Sequence, residues 1–523
     1  MGAGARAAGR RRGARSRFVA VALGVYVFAA LVATWPGVRH VDDGYLARPA
    51  AGSGEAAAGD HLQLGWAFWL VGHQLGRGDA PWADPYSFRP EAEAPPNFQG
   101  WLLGVPYWPL ERLLGTVWAY NLVVLLSFVA AGGMTCWWLR ALGLGRGASL
   151  AGGLVFALAP YRVGQSTGHL LGLVSFLLPA TLLALERRRW LWACAAVAAI
   201  PFSGQLHLAL GAIVLCLGYG WARLRRGERR WAVAAATGAA VAGVIVQQAV
   251  VAGSIASGRS FGQVERYSAE LSDFARRGVG VGIEELVFVG WLTPLLGISG
   301  LLVVRQRQRG LAWLLALAVV VPALLALGAN LPGYEQLWKA LPPLHATRVP
   351  ERFLPIASLA LAALVAFALD RLRRPGWIAV ALVVLAIDLH IAVFAAVAPD
   401  ESSAAYAAIA GDGRLLELPV IRPDLHYGGV YLVYARQSPR ERPQGYATTA
   451  PPAADRWARA HRGLSCGRSN VPPSIRFVAV HRGVYRQTGF FADACPARAE
   501  ASLRAQGFGL VARDGVISMW ARR

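Results

Sequence analysis

Long apolar runs, divided by short polar or basic stretches, fill the chain from residue 18 to residue 396. The first ends near Trp35-Pro36 and, at about twenty residues, is long enough to cross a bilayer as a helix. No small-residue cleavage site follows it, so it reads as a signal anchor. Further runs lie at 116–139, 147–163, 169–186, 190–204, 206–222, 231–252, 285–304, 310–328, 352–370 and 376–396. The pattern predicts about eleven spanning helices. Two stretches, residues 62–75 and 99–114, mix Trp and Tyr with aliphatic residues and are too short or interrupted to span. They are expected to lie in the membrane interface, clamping a long first loop over the bundle. Beyond residue 397 the pattern turns polar, with strand-like runs at Leu415–Leu418, Val430–Tyr434, Arg476–Val480 and Gly509–Trp520. Asp514-Gly515 breaks the last run as a hairpin turn would. The expected architecture is an α-helical polytopic membrane protein with a small C-terminal α/β domain.

Charge gives the pattern a direction. Arginines cluster in residues 6–17, at Arg140 and Arg146, and at Arg187 to Arg189. They cluster again at Arg223 to Arg230, Arg305 to Arg309, and Arg371 to Arg374. Residues 1–17 contain no acid. By the positive-inside rule these clusters belong in the cytoplasm. The remaining loops, 37–115, 164–168, 253–284 and 329–351, then face outward, and so does the domain at 397–523. Three segments are thus expected: a cytoplasmic N-terminus at 1–17, a bundle at 18–396 that includes the first outer loop, and an extracytoplasmic domain at 397–523. The net charge of +22 accompanies 55% apolar and 16% charged residues. With the arginines placed beside spans, that charge points to anionic lipid headgroups and not to nucleic acid. Cys136, Cys194 and Cys216 fall in apolar runs, whereas Cys466 and Cys495 fall in the polar tail. In an oxidising outer compartment the last two can pair.

Candidate chemistry gathers in the outer loops. Asp60, in Gly59-Asp60-His61, precedes an apolar helix, and Asp42-Asp43 follow the first span. A carboxylate there can accept a proton from an attacking hydroxyl or hold a divalent cation beside a phosphate. Asp84, before Pro85, reads as a turn former. Arg162, Gln165 and His169 border a short outer turn, His207 stands at the next, and His345, Arg348, Glu351 and Arg352 crowd the head of a late span. Arg348 and Arg352 suit a lipid phosphate. Loop 253–284, with Arg259, Glu265, Arg266, Tyr267 and Asp273, reads as a charged flap or as an ordinary solvated loop. No Walker-type loop, Rossmann glycine pattern, HExxH or paired CxxC occurs.

Several of these short motifs together resemble the GT-C-type membrane glycosyltransferases, in particular YfhO-like and related bacterial branches. They are Gly59-Asp60 before an aromatic helix, Pro160-Tyr161-Arg162, Gly168-His169-Leu170, and Arg348 to Phe353. Leu416-Glu417-Leu418-Pro419 and Arg476 to His481 are similar to the small outer domain of that group. The resemblance implies inverting transfer of a sugar from a polyprenyl-phosphate-linked donor to an acceptor on the outer face of the cell membrane. Asp60 would be the base or metal ligand, with Asp42-Asp43 a second acidic site, and His61, Arg162, Gln165, His169, His207, Arg348 and Arg352 would hold substrate. Mg²⁺ or Mn²⁺ is compatible with either acidic site. The residues also admit a lipid-linked sugar transporter, or a non-catalytic assembly protein presenting its tail. Because polar residues gather at the outer ends of the runs instead of at midplane, surface chemistry is favoured over passage.

Overall fold

The computed structural model describes residues 2–50, 53–258, 260–278, 282–341, 344, 348–372, 374–397 and 402–523, with side chains from residue 16 onward. Two compact units emerge. One comprises residues 1–36, 122–245 and 259–394; the other comprises 37–121, 246–258 and 395–523.

The first unit is helical throughout its apolar runs. Among the described residues, six helices are long and apolar enough to cross a membrane: Ser16–Ala33, Thr116–Ala141, Leu206–Arg223, Arg226–Val251, Arg309–Ala326 and Pro350–Leu369. The first of these is the C-terminal part of α1 (Gly2–Ala33). The other predicted runs contain shorter helices. Residues 147–163 divide into Arg146–Ala157 and Pro160–Gln165, because Pro160 starts a new helix and cannot continue the old one. Residues 169–186 divide likewise into Leu170–Val174 and Leu177–Glu186. The helix expected from residue 285 begins instead at Leu292. Gly290, at φ 88°, turns the chain just before it, and the Asp388 carboxylate accepts the N–H groups of Trp291 (3.0 Å) and Leu292 (3.1 Å). Pro350–Leu369, 89% buried, is the centre of this unit. It packs against Arg146–Ala157, Leu292–Arg307 and Arg309–Ala326. Close approach there depends on small residues: a Cβ at Gly300 would strike the Leu364 carbonyl.

The second unit joins sequence-distant segments. Strand β1 (Tyr45–Ala47) pairs antiparallel with β2 (Ala395–Val397), and the Asn121 side chain fixes the approach by binding Leu46 N, Val41 O and Gly44 O. Strands β3 (Arg414–Leu418), β4 (Ile475–His481), β5 (Phe508–Asp514) and β6 (Ile517–Arg522) form a sheet of order β3-β4-β6-β5. Only β3–β4 is parallel, and β5–β6 turn at Asp514-Gly515 as the sequence predicts. Leu416, Val478, Val480, Trp457, Leu503, Phe508 and Trp520 make one core. Beside it, Cys466 and Cys495 are joined by a disulfide.

Three expectations are revised in this unit. Val430–Tyr434 is not a strand but part of the helix Gly429–Gln437. Its residues are buried on every side, so the run shows neither a two-residue nor a 3.6-residue period. Residues 37–115, assigned by hydropathy to the bundle as its first loop, fall with the tail in the unit that contains residues 37–121. Finally, α2 (Asp60–Arg77) does not lie on a surface: Trp66 and Leu70 pack with Leu432, Ala435 and Tyr446. By contrast α3 (Trp101–Leu114) exposes Val105, Leu113 and Leu114, as an interfacial helix would.

Candidate active site

Asp60 opens α2, where a carboxylate complements the positive end of the helix. Gly59 precedes it in extended conformation, and a Cβ there would meet the His61 ring at 2.6 Å. Glycine is therefore required for the chain to bend into the helix over that ring. The Asp60 carboxylate is half-buried and accepts a hydrogen bond from the Tyr446 hydroxyl through Oδ1. Tyr446 was not among the residues singled out by sequence, because it comes 386 positions later in a polar tail. His61 is only 3% exposed, which removes it as a direct substrate ligand. Burial pulls its pKa down to about 4 despite the nearby Asp60 charge, so it is neutral at pH 7. Asp42 and Asp43 are exposed, and Asp43 stands 3.7 Å from His40. Asp84 is the expected turn former, accepting from the N–H groups of Tyr86 (2.9 Å) and Ser87 (3.2 Å).

The same unit holds a buried charge network that sequence spacing does not reveal. His481, at the end of β4, places Nδ1 2.8 Å from Glu55 and Nε2 2.9 Å from Glu417. The Glu417 carboxylate also accepts from Arg442 Nη1 (2.7 Å) and Tyr406 OH (2.5 Å). The Glu55, Glu417, His481 and Arg442 side chains are fully buried. Burial alone would lower the His481 pKa, but the carboxylates of Glu55 and Glu417 raise it to about 9. Two carboxylates thus face one imidazolium and one guanidinium, leaving no net charge in the core. This arrangement binds the segment around Glu55 to the sheet and presents nothing to solvent.

In the helical unit, Glu284 gathers three of the predicted substrate ligands. Arg352 Nη2 donates to Oε1 at 2.5 Å, Gln165 Nε2 donates to Oε2 at 2.7 Å, and His169 Nδ1 lies 3.7 Å from Oε1. The Gln165 amide oxygen meets His169 Nδ1 at 2.8 Å, so that nitrogen carries the proton. Burial would raise the pKa of Glu284, yet Arg352, His169 and the Gln165 hydrogen bond hold it down at about 2. Such a carboxylate is a poor proton acceptor near neutrality and acts as the anchor that orients Arg352 and His169. No local pattern marks Glu284 for this role, because its partners Gln165 and Arg352 are 119 and 68 positions away.

Arg162 departs from its expected role. It is 1% exposed, and its donors go to Ser175 Oγ (2.9 Å), the Ala157 carbonyl (3.0 Å) and the Ser127 carbonyl (2.8 Å), with Phe128 beneath the guanidinium. Those contacts hold helix ends together and leave no face for a phosphate. His207 is buried beside Phe353, whereas Arg348 is half-exposed over the Tyr267 ring, 5.7 Å from its centroid. Arg259 and His345 lie outside the described residues.

No family model and no curated protein matches the chain. Solved structures do. The arabinofuranosyltransferase AftD from Mycobacteria superposes with a TM-score of 0.60 at 16% identity, over 97% of this chain and 40% of AftD. ArnT from Cupriavidus metallidurans, in the apo state, superposes with a TM-score of 0.53 at 15% identity, over 98% of both chains. The chain shares its fold with AftD and ArnT. The chain therefore spans about 40% of the length of AftD but nearly all of ArnT. Among the described residues no group of three or more His, Cys, Asp or Glu side chains gathers as a metal site.

Proposed function

We propose that this protein is a membrane glycosyltransferase of a YfhO-like or related branch, transferring a sugar from a polyprenyl-phosphate-linked donor to a hydroxyl acceptor on the extracytoplasmic face. The observation that carries the reading is Asp60: a half-buried carboxylate at a helix N-terminus, steadied by the Tyr446 hydroxyl, in a chain of GT-C fold. In the reaction the acceptor oxygen bonds to the anomeric carbon while the bond from that carbon to the donor phosphate oxygen breaks. The electron pair leaves with the phosphate, the configuration inverts, and Asp60 takes the acceptor proton. The Tyr446 hydroxyl, bound to Oδ1, fixes the orientation of that carboxylate. Arg348, already stacked on Tyr267, is proposed to pair with a lipid phosphate. No step runs through a metal.

The test is turnover of purified full-length protein in nanodiscs with a panel of polyprenyl-phosphate sugars, measuring released polyprenyl phosphate. Asp60→Asn keeps the size of the side chain but removes the base, and should slow release about 10²–10⁴-fold. The same assay on Asp42→Asn and Asp43→Asn should show near wild-type rates. Consumption of donor by Asp60→Asn at the wild-type rate, with loss in Asp43→Asn, would transfer the base to the end of the first span. No consumption of any donor by the wild-type protein would reject the transferase reading.

A further inference from the structure

A cavity of about 480 Å³ in the helical unit is lined by Phe18, Val19, Trp137, Arg140, Ala141, Arg146 and Arg187. Three helix ends meet there. Phe18 comes from α1, Trp137 and Arg140 from the last turns of α4 (Thr116–Ala141), and Arg146 from the first turn of α5 (Arg146–Ala157); Arg187 follows the helix Leu177–Glu186. Among the described residues, none of the lining side chains is acidic. Nearby carboxylates are committed elsewhere: Glu186 binds Arg223 (2.7 Å) and Tyr219 (2.8 Å), and Asp370 binds Arg307 (2.8 Å) and the Gly145 N–H (2.7 Å). The three guanidiniums are not equivalent. Arg140 donates to the Leu144 carbonyl and is partly structural, whereas Arg146 rests on the Phe18 ring and Arg187 is exposed. Phe18 and Trp137 meet edge to face, 5.5 Å apart, as an apolar wall beneath these charges.

We infer that this cavity is a binding site for the headgroup of an anionic phospholipid. Three cations without a balancing acid attract phosphate oxygens, and guanidiniums hold them through paired N–H donors. The aromatic wall suits the glycerol and upper acyl region, with Trp137 of the type enriched at the membrane boundary and Phe18 on the apolar side. All three arginines belong to the clusters that sequence places at one face of the membrane, so acyl chains have a bilayer to enter. Carbon-rich walls and a mouth of fixed cations together favour a lipid over free phosphate, which needs no apolar surface.

The test uses full-length protein in detergent, with phosphatidylglycerol or phosphatidylcholine added and bound lipid counted by native mass spectrometry. Arg146→Gln with Arg187→Gln should weaken phosphatidylglycerol retention roughly thirtyfold, each arginine near an anionic lipid surface supplying about a fivefold factor. Arg305→Gln with Arg309→Gln removes the same charge from another basic cluster and should leave retention unchanged. Arg187→Gln alone, at an exposed position, keeps the test open if the double variant unfolds, with about a fivefold loss expected. Equal losses from both pairs, or no loss in the single variant, would mean general charge attraction and no site. Equal retention of phosphatidylcholine, or full competition by equimolar inorganic phosphate, would likewise overturn the assignment.

Discussion

Raising the pH should loosen the second unit through one buried imidazole. His481 titrates near 6.5 in an unfolded chain and near 9 when folded between Glu55 and Glu417. Because the folded value is the higher one, its contribution is complete below pH 6.5 and disappears as the pH passes 9. A difference of about 2.5 units corresponds to about 3 kcal/mol. In a unit of this size each kcal/mol moves the melting temperature by roughly 2–4 °C, and part of the contribution is already gone at pH 7, so a fall of about 5–10 °C is expected between pH 7 and pH 10. Differential scanning fluorimetry of the detergent-solubilised protein across that range measures it. His481→Gln should start from a lower melting temperature, since Glu55 and Glu417 lose their shared cation, and should then change little with pH. Glu55→Gln should shift the fall to lower pH by removing one of the charges that raise the His481 pKa. A wild-type profile that is flat from pH 7 to 10, or a fall of equal size in His481→Gln, would refute the reasoning.

Glu284→Gln should leave Arg352 without its carboxylate and lower turnover while the protein still folds, measured by donor release alongside thermal unfolding; an unchanged rate would remove the anchoring role. Arg162→Met should destabilise the helical unit by about 3 kcal/mol, since it removes the donors to the Ala157 and Ser127 carbonyls and to the Ser175 hydroxyl, and a melting curve checks it. Cys466→Ser with Cys495→Ser opens a loop of 29 residues and should cost about 3–4 kcal/mol in the chain-entropy model, read from protease resistance of the tail. A single cysteine engineered at exposed Arg498 should react with a membrane-impermeant maleimide on intact cells, because the basic-loop pattern places the tail outside; protection until lysis would reverse that orientation.

Hydropathy made the helices legible because each run is long compared with a turn, and all predicted runs contain helix. Their breaks were less legible. Pro160 divides a run whose hydropathy is continuous, and the start of Leu292–Arg307 is set by Asp388, 96 positions away. The hairpin could be read from its Asp514-Gly515 turn signal and β4 from a short strand-like run, but Gly429–Gln437 could not be told from a strand, since burial on every face erases the period. Site residues followed the same division. Asp60 stood out beside Gly59 and an aromatic helix, and Arg352 and His169 stood out as polar residues at the outer ends of apolar runs. The groups that tie them down, Tyr446 for Asp60 and Glu284 for Arg352, depend on contacts between distant segments that no local pattern records.

The pairing of β1 with β2 carries a consequence for how the chain is made. Tyr45–Ala47 leave the ribosome early, and their partner Ala395–Val397 follows about 350 residues later; at 5–20 residues per second this is a wait on the order of tens of seconds. Throughout that interval the segment from Gly37 to Asn121 has no sheet to join, and Glu55 has no His481. Its Trp66 and Leu70 stay uncovered until Leu432 and Ala435 arrive. A chain stopped before residue 395 would therefore insert its helices yet leave its first large loop unfolded. The first large loop can therefore complete its packing only after the segment that carries Leu432, Ala435 and His481 has been made.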